Sequence, residues 1–166
     1  MRPFLRQRAS VALSLVLLSS CASSGFDGRV YRSDDLSFHV GPVPGSWRSV
    51  SVDGTRLAFR DDAASATIQV SGRCGVDGDD VPLEALTHHL FLNFTKRNLL
   101  KQERVELDGR AALRTELGAE LDGVPLQYLV YVLMKDGCVY DFIHVSPGAR
   151  GRGEFERFLQ GFGTLG

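Results

Sequence analysis

Four of the six Asp-Gly dipeptides, Asp53-Gly54, Asp108-Gly109, Asp122-Gly123 and Asp136-Gly137, limit what this chain can fold into. Both residue types tolerate a positive φ, which the tightest hairpin turns demand. The last three separate segments of strand length, residues 102–107, 111–121, 124–135 and 138–145. That spacing predicts an antiparallel meander. Residues 124–135 are apolar on both faces, which suits an interior strand. Upstream, Leu36, Phe38 and Val40 alternate with Ser37 and His39, the period of a half-buried strand. The run from Pro42 to Ser46 breaks it, and strands are expected over 47–52, 55–60 and 66–74.

Between the two strand groups the period changes. Leu83, Leu86, Leu90, Phe91 and Phe94 recur at helical spacing, and Pro82 suits a first turn. The pattern predicts one long helix over 83–99. A second, short helix is expected over 154–162, with Phe155, Phe158, Leu159 and Phe162 inward. Strands, helix, strands, helix is the order of an α+β domain, with both helices packed on an antiparallel sheet. Leu86, Leu90, Phe94, Val130, Val132, Phe142 and Phe158 are the expected core.

The amino terminus carries a different signal. Met1 to Arg8 is basic, Val11 to Leu18 is almost wholly apolar, and Ser19 and Ser20 precede Cys21. This is the layout of a secretory leader, and the apolar run is far below the roughly 20 residues of a membrane-spanning helix. The tetrad Leu18-Ser19-Ser20-Cys21 resembles the lipobox of bacterial lipoproteins. That resemblance implies cleavage before Cys21, a diacylglycerol on its thiol and an acyl group such as palmitate on the new amine. Several chains on one residue give stable anchoring where one does not. Ala22 at the second mature position resembles the enteric sorting signal for the outer membrane, with the domain facing the periplasm. The expected organisation is a leader over 1–20, a flexible tether over 21–29 and one globular domain over 30–166. Arg2, Arg6 and Arg8 lie in the leader, which holds no acidic residue, so cleavage takes the formal net charge from −1 to about −4. A mildly acidic domain is poorly suited to nucleic-acid phosphates.

The segment Phe38-His-Val-Gly-Pro-Val-Pro-Gly-Ser-Trp47, a strand ending in a Pro-Gly-x-Trp turn, resembles the opening of PsbP/Mog1-like domains. A hairpin, one long helix and a meander closed by a phenylalanine-bearing helix extend the likeness over residues 30–165. The resemblance implies an accessory or binding module and brings no catalytic residue with it.

The residues that carry chemistry are few. Cys74 and Cys138 form an even pair in an oxidising compartment, which reads first as a disulfide. Closing so long a loop contributes roughly 4 kcal/mol in the chain-entropy model. Free buried thiols and a redox pair are the alternatives, and no Cys-x-x-Cys spacing supports the latter. His88 and His89 are adjacent on the expected helix and point about 100° apart. Glu84 and His88 share a face but supply two ligands where zinc takes three or four. His39 and His144 stand alone on strands. Ser146 to Gly153 is a glycine-rich loop whose Arg150 and Arg152 form a possible contact surface, or else a plain connector. It matches neither phosphate-binding fingerprint. The run Asp77-Gly-Asp-Asp80 lacks the glutamate of a calcium loop. No nucleophile elbow, metalloprotease helix or cofactor motif appears.

Three functions remain open on these residues. The first is a lipid-anchored envelope module that binds a protein partner or small ligand without catalysis. The second is an enzyme assembled from distant residues, such as His144 with Asp141 and the basic loop. The third is a structural lipoprotein of an envelope complex. Lipidation has a direct check: intact-mass measurement of the membrane-extracted protein is expected to give a chain beginning at acylated Cys21. A mature chain beginning elsewhere with an unmodified thiol removes the anchor.

Overall fold

A computed structural model describes residues 25–75 and 81–165. The leader, Cys21 and the acidic run at 77–80 lie outside the described residues. Eleven strands and two helices are present among them: β1 (Gly25–Phe26), β2 (Val30–Arg32), β3 (Ser37–His39), β4 (Arg48–Ser49), β5 (Leu57–Asp61), β6 (Ala66–Cys74), α1 (Leu83–Leu90), β7 (Thr95–Leu107), β8 (Arg110–Leu121), β9 (Val124–Lys135), β10 (Cys138–Ser146), α2 (Arg152–Gln160) and β11 (Gly163–Thr164). The class is α+β with antiparallel pairing throughout.

The three downstream Asp-Gly pairs turn the chain as their chemistry requires. Asp108, Asp122 and Asp136 have φ of 50°, 52° and 53°, and the glycines after them 72°, 80° and 69°. Positive φ at both central residues matches the twist of the flanking strands. The meander β7-β8-β9-β10 follows, and β6 completes its far side to give the order β4-β5-β6-β10-β9-β8-β7. Cys74 and Cys138 face each other directly across β6 and β10 and are bonded.

One sheet was expected, and there are two. Pro42 to Ser46 separates β3 from β4 so completely that they enter different sheets. β3 joins a small sheet of order β1-β2-β3-β11. Within the span expected as a tether, 21–29, Gly25 and Phe26 pair with Arg32 and Tyr31, and Phe26 packs against the core beside Phe59.

The interior strands β9 and β10 are apolar on both faces, so the large sheet needs two covers. On one face Phe142, Tyr140, Leu129 and Leu133 meet Phe155, Phe158 and Leu159 of α2 and Phe38 of the small sheet. On the other, Val130, Val132 and Val139 meet Leu83, Leu86 and Phe91 from α1 and its C-terminal turn. The first cover is locked by backbone contact. Gly41 N donates to Phe158 O at 2.8 Å, and a Cβ on Gly161 would sit 2.4 Å from Gly41 Cα. Only glycine lets the end of α2 and the chain after β3 approach so closely.

The helix expected over 83–99 is half that length. α1 ends at Leu90, and Thr95 already belongs to β7. The helical spacing persists through Phe94 because that ring, in the turn beyond α1, still packs on Tyr128 at 4.8 Å. From Thr95 onward the ladder with β8 satisfies the backbone instead. As a result Leu90 and Phe94 are half-buried rather than core. Leu86, Val130, Val132, Phe142 and Phe158 are buried. The second helix begins two residues earlier than expected, after Gly151 in the left-handed region. It stops before Phe162, which is buried outside it. Truncating Phe158 to Ala is expected to cost about 3–5 kcal/mol, as for core phenylalanines. Leu90→Ala is expected to cost about 1 kcal/mol, the typical single-site value. Urea denaturation of both variants checks the contrast.

Candidate functional site

α1 is only eight residues long and lies over β8 and β9, so the β7 end of its face stays uncovered. A groove of about 340 Å³ results, lined by Glu84, Thr87, His88, Phe91, Arg97, Leu99, Gln102, Thr115 and Leu117. Its floor is apolar: Phe91 and Leu117 are buried, and Phe91 meets Tyr128 edge-on at 6.2 Å. Its polar groups come from three elements. Thr87 Oγ1 donates to Leu83 O at 2.8 Å. Gln102 Nε2 donates to Thr115 Oγ1 at 3.0 Å across β7 and β8. Arg97 Nη1 donates to Phe91 O at 3.3 Å, closing the turn after α1. Glu84 is engaged by Arg104 at 3.0 Å. Among the described residues Arg97 has no carboxylate partner, so the rim carries an uncompensated positive charge beside an apolar floor. Such a surface suits an apolar group bearing a polar or anionic substituent.

Neither candidate arginine of the glycine-rich loop lies at this groove, and the two do not act together. Arg150 is exposed. Arg152 turns back onto the sheet, with Nη1 2.8 Å from Glu116 Oε2 and its side chain largely covered. There it joins a network beneath α2 that the sequence reading missed. Arg114, 13% exposed, contacts Glu116 at 2.7 Å, Glu103 at 3.2 Å and Glu156 at 3.5 Å, and donates to Tyr131 Oη at 3.0 Å. Two opposite charges at alternate positions of one strand, Arg114 and Glu116, which therefore share a face, were the available signal. They tie β8 to α2 and show no open position for a ligand.

Asp141 and His144, the residues of the enzyme alternative, are separated by an odd number of strand positions and so point to opposite faces. Asp141 is buried against Arg73, at 2.6 Å. Burial raises its carboxyl pKa, and the charge and hydrogen bond of Arg73 oppose that shift. His144 lies on the α2 side against Phe155. Its Nε2–H donates to Arg150 O at 3.0 Å, pinning the loop that leads into α2. No proton can pass directly between the two. The other histidines are also dispersed: His39 Nδ1–H donates to Gly161 O at 2.6 Å, and His88 lines the groove while His89 is exposed. No cluster of three or more His, Cys, Asp or Glu that could hold a metal occurs among the described residues.

Burial lowers the pKa of His144 to about 4, with Arg152 adding to the effect and the Arg150 carbonyl and Glu154 opposing it. The folded value is below the usual 6.5 of an unfolded histidine. The unfolded chain therefore binds more protons between these values, and the stability His144 contributes is present above pH 6.5 and lost as pH falls toward 4. Asp141 has the opposite sense, losing stability as pH rises through its raised pKa. Between pH 7.5 and 4.5 the His144 contribution amounts to about 2–3 kcal/mol, at 1.36 kcal/mol per pKa unit. The loss of stability over that range is expected to shrink by this amount in His144→Gln, measured by urea denaturation at the two pH values.

No protein-family model and no curated protein matches the sequence. Solved structures do match in shape. Cyanobacterial PsbP (CyanoP) from Synechocystis sp. PCC 6803 is 17% identical with a TM-score of 0.57, covering 89% of this chain and 99% of that one. LpqN, described as involved in cell envelope biogenesis of Mycobacterium tuberculosis, is 15% identical with a TM-score of 0.54, covering 80% and 87%. A protein of Bacteroides thetaiotaomicron is 12% identical with a TM-score of 0.59, covering 85% of this chain and 50% of its own. At these identities the likeness is one of architecture, and the chain has a PsbP-like α+β fold.

Proposed function

We propose that this chain is a lipid-anchored accessory module of the bacterial cell envelope that acts by binding rather than catalysis. The observation that carries the binding role is the groove between α1 and the β7–β8 hairpin, with its apolar floor of Phe91 and Leu117 and with Arg97, which has no carboxylate partner among the described residues, on its wall. The separation of Asp141 from His144 on opposite sheet faces argues against the enzyme alternative. The anchor rests on the leader and the lipobox-like tetrad ending at Cys21. The similarity to LpqN, an envelope-biogenesis protein, supports the compartment. No helix among the described residues is long and apolar enough to cross a membrane, and Ala22 favours the outer membrane. The exposed Arg150 loop is a secondary contact surface for a protein partner.

Two measurements separate the parts of this reading. Cys21→Ser is expected to move the protein from the membrane to the soluble fraction without changing its fold. A photo-crosslinking residue at Leu99, on the groove wall, is expected to give a discrete adduct in intact envelopes, while one at Ser51 gives none. Equal labelling from both positions removes the groove as the binding site. A measured turnover that His144→Gln abolishes without unfolding the domain replaces binding with catalysis.

A further inference from the structure

The two edges of the large sheet are built differently. β4 has two residues, one of them Arg48 bridged to Asp62 at 2.8 Å. Short length and charge are the usual protections of a sheet edge. β7 has thirteen residues, and among the described residues it pairs on one side only, with β8. Thr95 to Gln102 is exposed along its whole length, and it presents two adjacent leucines, Leu99 at 56% and Leu100 at 52% exposure. A long edge with bare backbone groups and exposed leucines is a template for another strand.

The charges of β7 favour a particular strand. Lys96, Arg97 and Lys101 occupy its first half, and Glu103, Arg104 and Glu106 its second. When two copies of one strand pair antiparallel about a two-fold axis normal to the sheet, one residue faces itself, and its neighbours on either side face each other. Centring on Lys101, Glu103 or Arg104 sets a like charge against itself, which destabilises a cross-strand pair. Centring on Gln102 sets an amide against an amide. Lys101 then faces Glu103 of the second copy twice over, and Leu100 lies against the aliphatic stem of Arg104. The register shift at Leu99–Lys101 confines the regular ladder to the stretch from Lys101 onward, where these ion pairs fall.

We propose that β7 is the seat of a homodimer in which two copies pair antiparallel about Gln102, joining their large sheets edge to edge. Gln102 also lines the groove, so dimerisation places two grooves side by side across the axis and turns two single sites into one bivalent surface. The proposal is independent of what the groove holds and of the lipid anchor.

The test uses the full chain in detergent. Residues facing their own copy across an antiparallel pair have Cα atoms about 4.5–5.5 Å apart, within disulfide reach, as Cys74 and Cys138 show at 4.0 Å inside this same sheet. Gln102→Cys is expected to give a covalent dimer under mild oxidation. Glu106→Cys, on the same strand but far from its own copy, is expected to stay monomeric. In sedimentation velocity, Lys101→Glu is expected to weaken self-association about tenfold by replacing opposite with like charges. Adding Glu103→Lys is expected to restore it. Equal crosslinking of the two cysteine variants overturns the proposal, as does a wild-type chain that sediments as a monomer. A double charge reversal that keeps its melting temperature yet stays monomeric overturns it too. Capture of a foreign protein by Gln102→Cys in place of its own copy reassigns β7 to a different partner.

Discussion

Everything in this fold answers to two strands that are apolar on both sides. β9 and β10 lie inside the large sheet, and their side chains alternate between two cores. A strand with one wet face would need a single cover. These need two, and neither cover can be removed without exposing valines, leucines and phenylalanines of both strands to water. At roughly 25 cal/mol per Å² of apolar surface, such exposure exceeds what any surface ion pair here can offset.

The two covers are unequal, and the inequality produces the candidate site. On one face α2 and the small sheet together close over most of the core. Backbone contact at Gly41 and Gly161 and the charge network of Arg114, Glu116 and Arg152 hold them there. His144 fixes the approach to α2 through the Arg150 carbonyl, so a buried neutral imidazole serves the packing of a helix. On the other face α1 supplies only Leu83, Leu86 and Thr87 as buried residues. The ends of β7 and β8 beyond its reach are left as a groove.

How much of this was legible follows from where each signal is encoded. Turn chemistry is local, so Asp108-Gly109, Asp122-Gly123 and Asp136-Gly137 announce the meander and nearly fix its strand ends. The pairing of Cys74 with Cys138 was a matter of parity and strand position, and β6 against β10 realises it. The small sheet was only partly legible: β3 shows in the alternation of Leu36, Phe38 and Val40, whereas β1, β2 and β11 are two or three residues each, too short for any period to appear. Arg152 looked like a free surface charge because its partner, Glu116, is distant in sequence. The groove was invisible for a related reason: its wall residues Thr87, Arg97, Leu99 and Thr115 come from separate elements and mean nothing until those elements meet.

The largest misreading and the most informative feature are the same stretch of chain. Residues 95–99 continue a helical spacing that began at Leu83, and as helix they would have extended the cover toward β7's present position. They become strand because β8 offers backbone partners to Thr95, Asn98 and Leu99 across two register shifts, while a longer helix would gain little burial: Leu99 and Leu100 remain exposed even now. Local propensity for helix was modest, and the ladder decided between the two states. Shortening α1 uncovers the floor at Phe91 and Leu117, and lengthening β7 puts Arg97, Leu99 and Gln102 on the groove wall. One choice between helix and strand thus creates both the groove and the open edge beside it, which makes the segment after Leu90 the part of the chain where structure and function are least separable.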